Sequence, residues 1–267
     1  MADSPSDDPL ARAQKLYENK VDPKSNLEII KLLEQPGGDV ASEAYRMAQL
    51  AIAEICDYLN RWNDAGPEEV AKAKANIQTA LAADPDPALA YLAYYARGLV
   101  HRAEGQHGYA RFDFAKASQF NPAFARAYAQ KGAENLYLGE PEKALADILQ
   151  GIARELRPHV LAMFYWLMGR THFFMQNYET AIPWLQQSIK GCPDLWYNRL
   201  YLVSAYAQAG DIDSARQALS EFNEWSAGYT LERVIENEKT NPNENPFVVE
   251  GRRRFHEGLL AAGMPPA

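Results

Sequence analysis

The chain has 267 residues, 47% of them hydrophobic, and a formal net charge of −8. An acidic chain lacks the basic surface on which nucleic acids and anionic membranes draw, so neither is expected as a partner. No run approaches the roughly 18 apolar residues of a membrane span, and Cys56 and Cys192 alone make neither a disulfide framework nor a zinc site.

Leu and Ala outweigh the β-branched residues, which favours helices. Residues 1–8 offer nothing to bury and are expected to form a disordered tail, without the basic and apolar regions of a secretory signal. With both cysteines read as reduced thiols, the expected setting is the cytoplasm. Pro9 suits a first helical turn, and the spacing predicts helices over 10–19 and 25–34, stopped by Pro36-Gly37-Gly38. Both fall outside the pattern that follows. Residues 9–40 therefore read as an N-terminal helical extension, open to two roles: a terminal cap, or a surface for a partner.

From 41 to 62 the residues Ala44, Met47, Ala48, Ile52, Ile55 and Leu59 form one helical stripe. Pro67 opens the next helix, with Glu68 and Glu69 beside its positive end, and Asp84-Pro85-Asp86-Pro87 closes it. Helix hairpins are predicted over 88–120, 124–156, 161–190 and 195–225, with Gly105, Gly139 and Gly210 in their internal turns. A helix over 229–237, a polar loop and an amphipathic helix over 247–262 follow as C-terminal capping helices within 228–267. The charges of Arg252, Arg253 and Arg254 are expected to solvate the outer face of that last helix.

A helix hairpin packs closely only where small residues meet at the crossing. Ala73, Ala110, Ala144, Ala181 and Ala215 recur at such a position with gaps of 37, 34, 37 and 34 residues. Gly98, Gly132 and Gly169 supply the opposing small position on the first helix. Large residues fill the holes beside them: Tyr94, Tyr128 and Tyr165 on first helices, and Ile77, Phe114, Ile148, Leu185 and Leu219 on second helices.

The stretch from 91 to 124 places Tyr94, Gly98, His101, Gly105, Ala110, Phe114, Ala117 and Pro122 at offsets that return from 125 and from 162, and more loosely from 54 and 196. This skeleton resembles the tetratricopeptide repeat. Arg61 and Val203 depart from it where a small residue is usual, and Leu156 stands where the neighbouring units have Pro122 and Pro193. The resemblance implies an all-α fold, an α-α superhelix of helix hairpins over 41–227 with N- and C-terminal capping helices. It also implies a non-catalytic scaffold or adaptor that binds a peptide or protein segment in a concave groove. Asn245-Pro246-Phe247 and the run from Arg254 to Pro265 resemble the ending of repeat modules in bacterial adenylate-cyclase-type signalling proteins. That implies a setting in bacterial signalling or complex assembly, without cyclase activity.

In the repeat family, offsets 2, 5, 9, 12 and 13 face the groove. Carried over, they give Tyr58 and Trp62; Tyr95, Leu99 and Arg102; Arg126, Ala129, Ala133, Leu136 and Tyr137; Met163, Trp166, Arg170, Phe173 and Phe174; and Tyr197, Leu200 and Ser204. The Tyr, Trp and Arg among them are the side chains that dominate binding hot spots. Self-burial is the competing expectation: the chain's own terminal helices, or a homodimer, would cover part of this surface. Family members that clamp the carboxylate tail of chaperones use Lys, Asn and Arg at set offsets. The corresponding positions here are Tyr95, Leu99, Gln130, Met163 and Leu167, so that clamp is absent in this register.

An enzyme, or a small-ligand-binding regulatory module using the aromatic groove, is the alternative class. The five histidines are 101, 107, 159, 172 and 256. His101 and His172 share a repeat offset usually held by an aromatic residue, and both read as packed inward. The sequence holds no His-Glu-x-x-His, phosphate loop, Gly-x-Ser-x-Gly or Cys-x-x-Cys. No catalytic residue, metal or cofactor is therefore assigned.

Overall fold

A computed structural model describes residues 8–19, 22–35, 40–83, 87–193 and 195–267. Residues 1–7 of the expected tail, the Pro36-Gly37-Gly38 stop and the 84–86 turn lie outside them. The described residues hold fourteen helices and no strand. They are α1 (Pro9–Asn19), α2 (Pro23–Leu33), α3 (Val40–Asn60), α4 (Pro67–Ala82), α5 (Pro87–Ala103), α6 (His107–Phe120) and α7 (Ala125–Tyr137). Then come α8 (Pro141–Ile152), α9 (Pro158–Phe174), α10 (Tyr178–Gly191), α11 (Trp196–Gln208), α12 (Ile212–Trp225), α13 (Leu231–Glu238) and α14 (Pro246–Ala261). Prolines explain the starts that run ahead of the apolar spacing. Pro23, Pro141, Pro158 and Pro246 each sit in a first helical turn, where the missing N–H costs nothing.

The chain divides into two compact units, Met1–Ala127 and Tyr128–Ala267. In the first, α3 pairs with α4 and α5 with α6, and α1 and α2 pack against each other, with α2 on α3. Ile29, Leu32 and Leu33 of α2 bury with Ala13 of α1 and with Leu50 and Ala53 of α3. The contact is fixed by Asn26, which donates to the Ala53 carbonyl at 2.9 Å and to the Asp57 carboxylate. In the second unit α9 pairs with α10 and α11 with α12, and α14 packs on α11 and, more lightly, on α9.

The small-residue crossings are where the spacing put them. Ala73, Ala110, Ala144, Ala181 and Ala215 are all fully buried. A Cβ on Gly98 would lie 2.7 Å from the Phe114 ring, and one on Gly169 2.7 Å from Leu185 Cγ. On Gly132 it would meet Ile148 Cγ1 at 2.7 Å and the Ala144 carbonyl oxygen at 2.8 Å. The hairpin turns use a left-handed residue at one offset. Gly105, Gly139 and Gly210 supply it with φ of 71°, 78° and 87°, and Gln176 takes it at 64°, where a side chain carries a steric cost.

Gly132→Ala should therefore destabilise the second unit by about 1–3 kcal/mol, because one of the clashing atoms is backbone and cannot rotate away. Gly108, with nothing within 4 Å of its would-be Cβ, is the control. Gly108→Ala should leave stability unchanged or raise it by up to about 1 kcal/mol in urea unfolding.

Glu54 of α3, only 6% exposed, accepts a 2.8 Å hydrogen bond from Asn76 Nδ2 of α4. Burial pushes its carboxyl up to about 7, against the weaker pull of Asn76 and Lys72. The folded state thus holds a proton that the unfolded chain has lost. The associated stability is full below the unfolded value near 4.5 and is lost as pH rises through 7. The first unit should lose on the order of 2 kcal/mol between pH 5 and pH 8, and Glu54→Gln should flatten that dependence.

Candidate functional site

The eleven Tyr, Trp, Arg and Phe positions expected to face a groove divide by burial. In the first unit, Tyr58 is half-buried beside the core of α3, α5 and α6. Trp62 lies just past the end of α3 at 9% exposure, its N–H on the Asp57 carbonyl at 2.9 Å. Tyr95 is 4% exposed, between Phe114 at 5.4 Å and Phe124 at 5.0 Å, and burial drives its hydroxyl well above the ordinary phenol range. Arg102 is buried with its guanidinium 5.3 Å from the Phe114 ring. Arg126 is buried 4.1 Å over the ring of Tyr17 on α1 and donates to the Tyr17 carbonyl at 3.3 Å. Cys56 is a free thiol in the same region, and burial pushes it up to about 12, which keeps it protonated and unreactive.

In the second unit the expected residues come together around Arg170. Its Nη1 donates to the Tyr137 hydroxyl at 2.6 Å. The guanidinium lies 4.5 Å from the Tyr137 ring, 4.7 Å from Trp166 and 5.8 Å from Phe174. Three electron-rich faces thus surround one cation. Trp166 also packs on Tyr197 of α11 with ring centroids 4.4 Å apart. Both rings are partly exposed, whereas Tyr137, Arg170, Phe173 and Phe174 are buried.

Phe173 sits at 0% exposure among Tyr178 at 5.2 Å, Tyr201 at 5.4 Å and Phe255 of α14 at 6.3 Å. Phe174 meets Phe247 of α14 at 6.2 Å, and a Cβ on Gly251 would lie 2.7 Å from its ring. The C-terminal helix therefore fills part of this surface. Two residues that the repeat offsets did not single out close the cluster: Tyr201 and Phe255 stack at 4.1 Å with planes 7° apart. The spacing of Gly251 and Gly258, seven residues apart on α14, is the sequence signal for that close approach. Gly258 lies against Ser204, whose hydroxyl donates to the Phe255 carbonyl at 2.9 Å.

The histidines have ordinary neighbours. His101 Nδ1 meets Gln106 Oε1 at 2.8 Å, and its Nε2 lies 3.5 Å from Asp113. His256 meets Glu238 at 3.0 Å. Burial holds His172 below the usual imidazole value, favouring the neutral ring. Among the described residues no group of His, Cys, Asp and Glu is placed to hold a metal ion, and no helix is long and apolar enough to cross a membrane.

Residues 163–195, which take in most of α9 and all of α10, match the family model described as tetratricopeptide repeat. No curated protein matches the chain. The structure of pilF from Pseudomonas aeruginosa is 18% identical with a TM-score of 0.56, over 81% of this chain and 90% of that one. A chain of the Cut9–Hcn1 hetero-tetramer of the APC/C is 14% identical with a TM-score of 0.58, over 92% of this chain and 55% of that one. At these identities the likeness is one of fold.

Phe173→Ala should remove a fully enclosed ring and cost about 3–5 kcal/mol, read as a fall in melting temperature with loss of near-ultraviolet circular dichroism. Trp166→Ala, at a partly exposed position, should cost less than half of that.

Proposed function

The chain carries a tetratricopeptide repeat and has the fold of tetratricopeptide-repeat structures, and from that premise we propose that it is a non-catalytic scaffold or adaptor for a peptide or protein segment. Modules of this fold serve in general as protein-interaction surfaces. The observation that carries the reading here is the Trp166–Tyr197 pair. Two large amphipathic rings from successive first helices, α9 and α11, sit together and stay partly exposed beside a buried arginine. Rings of this kind give contact area at low entropic cost, which is what a protein interface needs at its centre.

The partner face runs over Trp166, Tyr197 and the Arg170 edge, with Tyr137 and Phe174 as its floor. Tyr58 is the corresponding partly exposed ring of the first unit. Phe173 supports the face from below and does not meet the partner. The likeness of residues 245–247 and 254–265 to repeat modules of bacterial adenylate-cyclase-type signalling proteins favours a role in bacterial signalling or complex assembly in the cytoplasm. A second copy of the chain is the other protein that this face could take, as a homodimer.

Affinity capture from native cell extract, with the parent chain beside a Trp166→Ala/Tyr197→Ala variant, tests the reading. A protein bound by the parent should be retained at least about tenfold less by the variant, while melting falls by no more than about 5 °C. Equal retention by both baits, or collapse of the fold in the variant, would overturn it.

A further inference from the structure

Arg170 is 5% exposed and has no carboxylate partner among the described residues. One end of its guanidinium is engaged, since Nη1 donates to the Tyr137 hydroxyl. The other edge is not. Nε and Nη2 are both buried without a hydrogen-bond partner, and so is Nε1 of Trp166, whose ring lies 4.7 Å from the guanidinium. Buried donors are nearly always satisfied, and a buried charge stripped of its partner is costly. The neighbouring rings compensate the charge in part through their faces, but ring faces give nothing to the in-plane N–H groups of Nε and Nη2.

Those two nitrogens form the side-on fork of arginine, two parallel donors spaced to match the two oxygens of a carboxylate. We propose that the Nε/Nη2 edge of Arg170, together with Nε1 of Trp166, is a recognition site for a single carboxylate group of a bound peptide. This deepens the interaction reading above and rests on it. The carboxylate oxygens accept from Nε and Nη2, and one of them accepts from Trp166 Nε1 as well. Of the three rings around the guanidinium, Tyr137 and Phe174 are buried and Trp166 is partly exposed. Entry on this proposal is past Trp166, and requires that ring to shift from its packing on Tyr197.

The charge balance selects a monoanion. Arg254, which donates to the Phe174 carbonyl at 3.1 Å, is already answered by Glu250 at 2.8 Å. That leaves one net positive charge at the site, enough for a carboxylate and insufficient for a phosphate dianion in a buried setting. The site also differs from the Lys and Asn clamp whose positions hold Tyr95, Leu99, Gln130, Met163 and Leu167 in this sequence. It uses one arginine edge and an indole in place of several surface cations.

The test follows the side-chain Nε–H resonance of Arg170 in the full chain by proton–nitrogen NMR, assigned by its loss in Arg170→Lys. Three probes are added at matched ionic strength and mildly alkaline pH: N-acetylaspartate amide, which carries only a side-chain carboxylate, N-acetylglycine, which carries only a main-chain carboxylate, and inorganic phosphate, which is chiefly the dianion under those conditions. A saturable downfield shift with at least one of the two carboxylates, absent with phosphate, is the expected result. The tighter of the two identifies whether an acidic side chain or a chain terminus is read. Trp166→Phe, which keeps the ring and removes the indole donor, should weaken that binding about threefold to tenfold. Arg253→Gln, on the exposed face of α14, should leave it unchanged. No saturable shift with either carboxylate, or an equal shift with phosphate, overturns the proposal. If Arg170 titrates as expected while capture of a protein is insensitive to Trp166 and Tyr197, the scaffold reading fails and the carboxylate site stands. If capture depends on those rings and Arg170 does not titrate, the reverse holds.

Discussion

The architecture depends on one steric constraint, repeated in three hairpins of the chain: the first helix lies against its second helix where a glycine faces a large side chain. Gly98 against Phe114, Gly132 against Ile148 and Gly169 against Leu185 leave no room for a methyl group. The fully buried alanines at 110, 144 and 181 hold the matching position on the second helices. Once these crossings are fixed, the phase of each first helix is fixed too. That phase decides which residues turn away from the hairpin, so a packing rule placed far from any ligand sets the candidate binding face.

The ends of the chain then modify that face. In the first unit α1 delivers Tyr17 to Arg126, and a guanidinium that the repeat alone would leave open is stacked at 4.1 Å. In the second unit α14 lays Phe247, Gly251, Phe255 and Gly258 against α9 and α11, closing over Phe173 and Phe174. What stays partly open there is the Trp166–Tyr197 pair. The amphipathic final helix is thus more than a polar end cap, because its apolar side completes an aromatic core that the repeats begin.

The sequence made the hairpins legible because their signal is local and periodic. Alanines at gaps of 34 and 37 residues and glycines in the turns locate each crossing without any knowledge of the whole fold. Burial at the groove positions was much less legible. Phe173 and Trp166 occupy equivalent-looking faces of one helix, and only the arrival of α14, whose Phe255 lies more than eighty residues from Phe173, separates core from surface. The same holds for Arg126, whose stacking partner precedes it by 109 positions. Gln176 is a local exception of another kind. It adopts the left-handed turn conformation that glycine takes at the three equivalent positions, because the hairpin geometry on either side requires it.

With α14 as a permanent part of the second unit's core, the proposed partner face is Trp166 and Tyr197 and not the surface beneath the helix. Amide hydrogen exchange across α14, measured on the full chain under native conditions, tests this most directly. The amides around Val248, Phe255 and Leu259 should exchange no faster than those of α11, through the same cooperative unfolding. Exchange in α14 that is faster than in α11 by a separate opening would contradict it, since the helix would then be a removable cover and Phe173 and Phe174 part of the binding surface.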